Sequence, residues 1–400
     1  MDILIKNCRI VDETKDLNGD IYVKDGRIED YGSNISLDCK TIDGTNLVVM
    51  PSFIDLHAHF REPGYIYKED ISSGSKAALK GGYTCVNLMA NTNPICSSME
   101  IVEYVLKKAR ELDLIDIHQT VSITEDFDGK TIEHLESIDD GVKFISDDGR
   151  GIKSNLTMYR ALLLAKERNL TVIVHEEDEE LIELNNRLSE NIMTFRDIYL
   201  SKLTGGKLHL AHVSTKEAIE VVRKAKDKGV NITCEVTPHH IALSNSEYRV
   251  NPPIREQEDT ETIVKGIRDG TVDVIATDHA PHSKVDKENG APGISGLETS
   301  FSVCYTSLVK SNFISLNRLS QLMSAMPGRL MAVNKGKIKH GYDGDIVLVD
   351  LNDNFTVKAD EFKSKGKNTP FDGRELYGKV IATIRKGKVK YNGGVAVDNR

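Results

Sequence analysis

The chain has 400 residues, 39% hydrophobic and 28% charged, so a sizeable core is expected and disorder is not. Fifty-two basic against 61 acidic residues give a net charge of −9, without the basic stripes that nucleic acid would require. No apolar run reaches the roughly 18 residues of a membrane span, and the first six residues do not read as a signal peptide. Six scattered cysteines without a Cys-x-x-Cys pair suit a reducing compartment. The expectation is a soluble cytoplasmic enzyme with no nucleic-acid or membrane partner.

Residues 1–45 alternate apolar and polar positions (Ile3, Ile5, then Ile21, Val23), with turn signals at Asn18-Gly19 and Asp25-Gly26. That pattern predicts hairpins. From about residue 45 to 330, eight short apolar runs follow: 53–56, 85–89, 117–123, 142–145, 172–174, 208–211, 232–236 and 272–276. Between them lie amphipathic stretches, clearest at 156–168, 216–228 and 260–269, and Arg168-Asn169 and Lys228-Gly229 supply stop signals. Eight such units match a (β/α)8 barrel better than a doubly wound open sheet. Residues 338–400 return to strand patterns, with a turn at Lys386-Gly387. The expected architecture is an α/β barrel over 51–334, flanked by a small β-sandwich built from 1–50 and 335–400.

The predicted strand ends carry the chemistry. The first ends in His57-Ala58-His59, the fifth in His175, the sixth in His212 and the eighth in Asp278. Barrel active sites gather at these C-terminal ends, and residues two apart on a strand share a face. One strand-end histidine alone would more often be a packing residue. Five such groups at four strand ends are more ligand than one tetrahedral ion needs, so two divalent metals are expected. His118, His134, His209, His239, His240 and His340 are read as packing or surface residues. His209 is expected on the opposite face of its strand from His212. The acidic run Glu176-Glu177-Asp178-Glu179-Glu180 reads, beyond its first residues, as a solvated loop or a first helical turn.

Several longer segments carry a resemblance. They are Asp55-Leu56-His57-Ala58-His59-Phe60-Arg61-Glu62-Pro63-Gly64, Met89-Ala90-Asn91-Thr92-Asn93-Pro94, Asp147-Asp148-Gly149 and His212-Val213-Ser214-Thr215. Glu235-Val236-Thr237-Pro238-His239-His240, Asn251-Pro252-Pro253-Ile254-Arg255, Ala276-Thr277-Asp278-His279-Ala280-Pro281-His282 and Lys367-Asn368-Thr369-Pro370-Phe371 continue it. Together they resemble the dihydroorotases of the amidohydrolase superfamily, in order along nearly the whole chain. The resemblance implies a metal-dependent barrel that reversibly cyclises N-carbamoyl-L-aspartate to dihydroorotate, a step of pyrimidine synthesis. It implies metal ligation by His57, His59, Asp148, His175, His212 and Asp278, with zinc favoured, and assigns proton transfer to Asp278. Two candidates stand for the residue bridging the metals: Asp148, which is favoured, and a carboxylated Lys143.

For the substrate carboxylate the resemblance points to Arg61, Asn91 and His282, with His59 beside them, and for the ring to Asn251 and the Pro292-Gly293 backbone. Arg61, two residues past His59, is expected on the same inward face, where a planar guanidinium suits a carboxylate. Ala90 and Pro292 depart from the family's usual residues, and the 37-residue spacing from His175 to His212 is short for it. A homodimer and association with a transcarbamoylase are the partner expectations. The competing readings are another cyclic-amide hydrolase, whose substrate has no carboxylate for Arg61, and a non-catalytic scaffold.

Overall fold

A computed structural model describes residues 2–398. All eight apolar runs become parallel strands, and they will be counted as barrel strands one to eight. They are Phe53–Ala58, Tyr83–Leu88, Asp116–Gln119, Phe144–Ile145, Thr171–Val174, Lys207–Leu210, Ile232–Val236 and Val274–Ile275. The first three form one sheet and the other five a second. Two bridges, Val121 to Ile145 and Ala58 to His279, close the seams into a barrel. Ile54, Leu56, Cys85, Phe144, Ile173 and Val274 fill its interior over a floor that includes Met331. Val86, Val172, Leu208 and Val236 face outward into the larger helix-covered core.

The helices Asn155–Glu167, Lys216–Asp227 and Gln257–Asp269 form where three- and four-residue spacing predicts them. The side chains of Ser154 and Thr215 accept from Thr157 N and Ala218 N, satisfying first-turn amides that have no partner within the helix. Asn169 and Gly229 take left-handed backbone at the exits, with φ of 56° and 70°. The third unit departs from the expected repeat. Only the 3-10 turns Glu125–Phe127 and Glu133–Ser137 follow its strand. Asp128 Oδ1 accepts from Lys130 N and Thr131 N there, so a side chain competes for the amides a helix would need.

The two chain ends meet in one nine-stranded sheet. Ile3–Val11 pairs antiparallel with Asp16–Lys24 and parallel with both Lys40–Asp43 and Val48–Pro51. Val48–Pro51 then joins Ile346–Thr356, which continues to Glu375–Arg385 and Lys388–Asn392. The sheet branches at Ile3–Val11 around a core of Ile5, Ile10, Ile21, Val49, Leu348 and Ile384. The turns at Asp25-Gly26 and Lys386-Gly387 form as expected, with positive φ at all four residues. Asn18-Gly19 does not turn; it lies inside Asp16–Lys24. A Cβ at Gly19 would meet Gly32 O at 2.6 Å, so glycine there serves close strand approach. The first hairpin turns instead on Asp12, whose Oδ1 accepts from Thr14 N and Lys15 N at 2.8 Å.

Candidate metal centre

The backbone delivers the expected ligands by irregularities. Ile54 and Leu56 belong to the barrel interior, whereas Ala58 packs outward. A register shift between Asp55 and Ala58 makes that switch, so His57 and His59 both face inward. His212 and Asp278 lie just past strands six and eight with left-handed φ of 33° and 46°. Conformations that cost a non-glycine residue about 1–3 kcal/mol persist only where their surroundings enforce them. Arg61 also departs from the expectation of strand alternation. Its strand has already ended, and a φ of 60° turns it into the cavity.

The four histidines converge on Asp148. Its Oδ1 is 3.3 Å from His57 Nε2, 3.6 Å from His175 Nδ1 and 3.7 Å from His212 Nε2, and its Oδ2 is 3.5 Å from His59 Nε2. Asp278 Oδ1 stands 3.1 Å from His59 Nε2 and 3.6 Å from His57 Nε2. Two groups of mutually close donor atoms result, His57–His59–Asp148 and Asp148–His175–His212, with Asp148 in both. Lys143 stays outside this cluster; its Nζ donates to Asp140 O at the surface, 2.6 Å away.

These residues fit divalent metal. His57 Nε2 and Asp148 Oδ1 are buried without a hydrogen-bond partner. Two donors each about 2.0–2.1 Å from one tetrahedral ion lie about 3.4 Å apart, close to the nitrogen-to-oxygen separations around Asp148. Burial would raise the Asp148 carboxyl, but His57, His175 and His212 outweigh it and hold the group well below the ordinary carboxylate range. It is therefore an anion ringed by imidazoles, the composition a divalent ion requires.

Outer contacts fix the rings. His57 Nδ1 is 2.7 Å from Glu235 Oε1, and Glu235 Oε2 is 3.1 Å from His209 Nε2. A histidine whose second nitrogen is held by a carboxylate keeps the other lone pair for metal. Asn91 does the same for His59, with Oδ1 2.8 Å from its Nδ1, while Asn91 Nδ2 is 3.4 Å from Asp148 Oδ2. The expectation for His209 is corrected here: Lys207–Leu210 ends before His212, and the left-handed turn at His212 breaks the alternation that would separate the two. Glu235, buried within the quoted Glu235-Val236 segment, is the functional neighbour that sequence reasoning missed. Its 178-residue separation from His57 leaves no local signal.

A cavity of about 220 Å³ opens on this cluster. It is lined by His59, Arg61, Asn91, Asp148, His175, His212, Asn251, Asp278, His282, Pro292 and Gly293. The expected site residues are thereby brought together, His57 lying beneath. Arg61 Nε is buried without a partner, and an Arg61 terminal nitrogen is 3.5 Å from His282 Nε2. Lys68 Nζ, not anticipated, lies 3.4 Å from His282 Nδ1. Burial, Arg61 and Lys68 drive the His282 imidazole down to about 3, so it is neutral. Asn251 Nδ2 donates to Glu177 Oε2 at 2.7 Å and lies 3.3 Å from His175 Nε2. Glu177, within the acidic run, thus faces the site, whereas Glu179 and Glu180 are exposed as expected. A Cβ at Gly293, where φ is 143°, would meet Ala280 O at 2.5 Å, so only glycine fits this wall.

A metal-binding barrel with this strand-end ligand set defines a class, and residues 48–390 match the amidohydrolase family. The chain is 54% identical over 396 residues to a dihydroorotase of Clostridium botulinum (strain Eklund 17B / Type B), covering 98% of this chain and all of that one. A dihydroorotase of Thermoanaerobacter sp. (strain X514) is 41% identical over 421 residues, covering 98% and 97%. Among solved structures, the L-hydantoinase (dihydropyrimidinase) of Arthrobacter aurescens is similar with a TM-score of 0.90 at 25% identity, covering 100% of this chain and 98% of that one. The chain belongs to the dihydroorotase family of amidohydrolases, hydrolases of cyclic amides that use divalent metal. Among the described residues, no helix is long and apolar enough to cross a membrane.

Proposed function

We propose that the protein catalyses the reversible cyclisation of N-carbamoyl-L-aspartate to dihydroorotate, through a pair of divalent ions, most simply zinc. The carrying observation is the pairing of the Asp148-centred cluster with Arg61 in one 220 Å³ cavity, which joins a site for hydrolytic metal to a receptor for a carboxylate. His57 and His59 would hold one ion and His175 and His212 the other, with Asp148 shared and Asp278 beside the first. Bound ions would polarise the scissile carbonyl and lower the pKa of water toward about 7.

The protein's own groups supply the rest. In ring opening Asp278 accepts a proton from the attacking water and returns it to the departing ring nitrogen; in ring closure it takes the proton from the attacking carbamoyl nitrogen and passes it to the carboxyl oxygen that leaves as water. Arg61 binds the substrate carboxylate with its planar guanidinium. His282 has only one acceptor nitrogen when neutral, yet two cations face it. Donation by Lys68 to Nδ1 leaves the proton on Nε2, where His282 joins Arg61 as a second donor to the carboxylate. Asn91, Asn251 and the Pro292-Gly293 backbone complete the receptor around the ring, with His59 at its metal side.

This reading includes two functional units, a catalytic barrel over 51–334 and a β-rich unit from 1–50 and 335–400. The six free cysteines favour a cytoplasmic setting. It also includes a homodimer and association with a transcarbamoylase, the class of enzyme that forms N-carbamoylaspartate. The test is turnover of dihydroorotate beside hydantoin and dihydrouracil, before and after chelation. Turnover of dihydroorotate alone, lost on chelation and restored by zinc, is expected. Turnover of the carboxylate-free rings instead would overturn the substrate assignment, and no turnover with metal bound would leave the scaffold reading.

A further inference from the structure

Asn368 lies between the 3-10 turn Ala359–Glu361 and the strand Glu375–Arg385, in the C-terminal part of the chain that the preceding reading places in the β-rich unit. The segment around it leaves that sheet and runs over the loops that follow barrel strands one and eight. Glu298 Oε1 accepts from Lys363 N at 2.6 Å and from Ser364 N at 3.0 Å, and Glu69 Oε1 accepts from Lys365 N at 3.2 Å. Lys365 Nζ donates to Ile66 O at 2.6 Å, and Ser295 N donates to Asn368 O at 2.8 Å. The strap 363–368 is thereby tied to the loop after strand one and to the loop after strand eight.

The Asn368 amide is buried, and each of its hydrogen-bonding positions is used. Nδ2 donates to Gly293 O at 2.9 Å and to Ala280 O at 3.2 Å. Oδ1 accepts from His282 N at 3.0 Å and stands 2.9 Å from the Ser295 hydroxyl. An amide has two donors and an acceptor with two lone pairs, so its capacity is full. Turning it over would set its oxygen against two carbonyls, so the contacts also fix which way it faces. These partners belong to the two walls of the substrate receptor. The loop 281–293 presents His282 as it leaves and Pro292-Gly293 as it returns, and it closes where Ala280 N donates to Ile294 O at 2.8 Å. One amide from outside the loop thus joins its two limbs. The returning limb has further support, since Lys287 Nζ donates to Gly293 O at 3.1 Å, so loss of the amide falls hardest on His282. Asn368 stands behind the cavity wall, not in it, and acts on a substrate only through the residues it holds. A buried polar group with all its partners in place holds them in one arrangement.

We propose that Asn368 is a positioning residue of the substrate receptor, through which the C-terminal strap sets the spacing between His282 and the Gly293 wall. The proposal rests on the preceding reading for the identity of the substrate, but not for the geometry. Amide hydrogen exchange on the full-length, metal-loaded protein tests the geometry. In the wild type the His282 amide should exchange slower than an exposed loop amide by about a hundredfold or more. Exchange at the exposed-loop rate would overturn the proposal. Asn368→Ala should speed exchange at His282 by about tenfold or more and leave the Ala276 amide, bonded to Val236 O at 3.1 Å, unchanged. Dihydroorotate kinetics test the consequence. KM should rise about five- to thirtyfold with kcat within about twofold, because the receptor binds ground and transition states alike. Thr383→Ala is the stability control in the same β-rich unit. It removes a bond to Leu79 O of 2.7 Å and should lower the melting temperature without moving KM. The same result in Asn368→Ala would leave that residue a structural role only and overturn the proposal. Should Asn368→Ala fail to fold, Gly366→Ala keeps the amide but sets a Cβ 2.7 Å from its Oδ1, and it should move exchange and KM in the same directions. A Gly366→Ala protein with both unmoved would overturn the proposal too. Wild-type turnover of hydantoin in place of dihydroorotate would overturn the preceding reading, while the exchange result would still decide this one.

Discussion

Buried charge gathers at both ends of the barrel, and the two clusters differ in one respect. At the end facing the nine-stranded sheet, Lys335 Nζ contacts Asp116 at 2.8 Å, Asp343 at 3.3 Å and Asp345. Arg385 beside it contacts Asp113 at 2.7 Å and Asp116 at 2.6 Å. Cation faces anion throughout. At the other end, ligand-type atoms crowd around carboxylates: His57 Nε2 is 3.3 Å from Asp148 and 3.6 Å from Asp278, and His59 Nε2 is 3.5 Å and 3.1 Å from the same two. Size misleads here, because the cavity beside Lys335 is about 480 Å³ against 220 Å³ at the metal centre. Complementary charge closes on itself and holds a structure together; imidazoles grouped around one shared carboxylate mark where a divalent cation belongs.

The sharpest way to break this comparison is to exchange one residue in each cluster. Asp148→Asn removes the carboxylate shared by both ligand groups, so bound metal should fall below one ion per chain. Turnover should drop by more than about a thousandfold while the fold persists. Metal analysis and a dihydroorotate assay check this, and near-normal metal content would remove Asp148 from the centre. Lys335→Met leaves three carboxylates around an empty position, and breaking a buried pair costs about 3–5 kcal/mol. Denaturant unfolding should show that loss, while the surviving folded protein keeps its metal. Lys143→Gln should change neither, since its ammonium serves only Asp140 O.

Arg61 stands between the two cases, being a buried cation whose Nε lacks a protein partner. Arg61→Ala should raise KM for dihydroorotate about ten- to a hundredfold, the value of a charge-assisted hydrogen bond at about 1.5–3 kcal/mol. Metal content should not move. An unchanged KM would transfer carboxylate recognition elsewhere.

The sequence-level expectations succeeded where the signal is local. Eight apolar runs became eight strands because runs of that length have little alternative in a parallel sheet. The clustered histidines were legible because each sits within two residues of a strand end, whereas Asp148 and Asp278 lie three residues past theirs and Asp148 was carried by the resemblance. What escaped was set by distance or by backbone detail. The Glu235–His57 contact crosses from strand seven to strand one, and Lys68 meets His282 across 214 residues. The bulge that turns His57 inward and the left-handed turn that places Arg61 follow from packing around them, not from the identity of any one residue. The missing third helix was foreshadowed in Asp128 and its neighbours, but side-chain competition for backbone amides leaves the hydrophobic period intact and so goes unread.

Proton competition sharpens the comparison at the metal end. Although burial opposes it, Asp148 and Glu177 push the His175 imidazole up to about 9 in the metal-free protein. His175 is then protonated below that pH, and an ion must expel the proton to use the ring. Metal affinity should therefore fall as pH is lowered from 9, by about tenfold per pH unit for one displaced proton. Competition with a chromophoric chelator between pH 6 and 9 measures the slope, and a flat profile would exclude proton displacement at His175.

The smallest expected effect falls on the contact between Lys68 and His282 at the carboxylate side of the cavity. His282 meets two cations with a single acceptor; Lys68 also stands 3.6 Å from Asp286, whereas Arg61 Nε has no partner. Lys68→Met removes the donor that holds the proton on His282 Nε2. The ring can then accept from Arg61, which takes one donor away from the carboxylate and ties up part of another. KM for dihydroorotate should rise about threefold to tenfold with kcat little changed, because the group lost binds the ground and transition states alike. Nitrogen NMR of His282 in the apo protein should show the proton moving from Nε2 to Nδ1. A change in KM without that tautomer shift would make Lys68 a direct carboxylate ligand, and a tautomer shift without a change in KM would remove His282 from substrate binding.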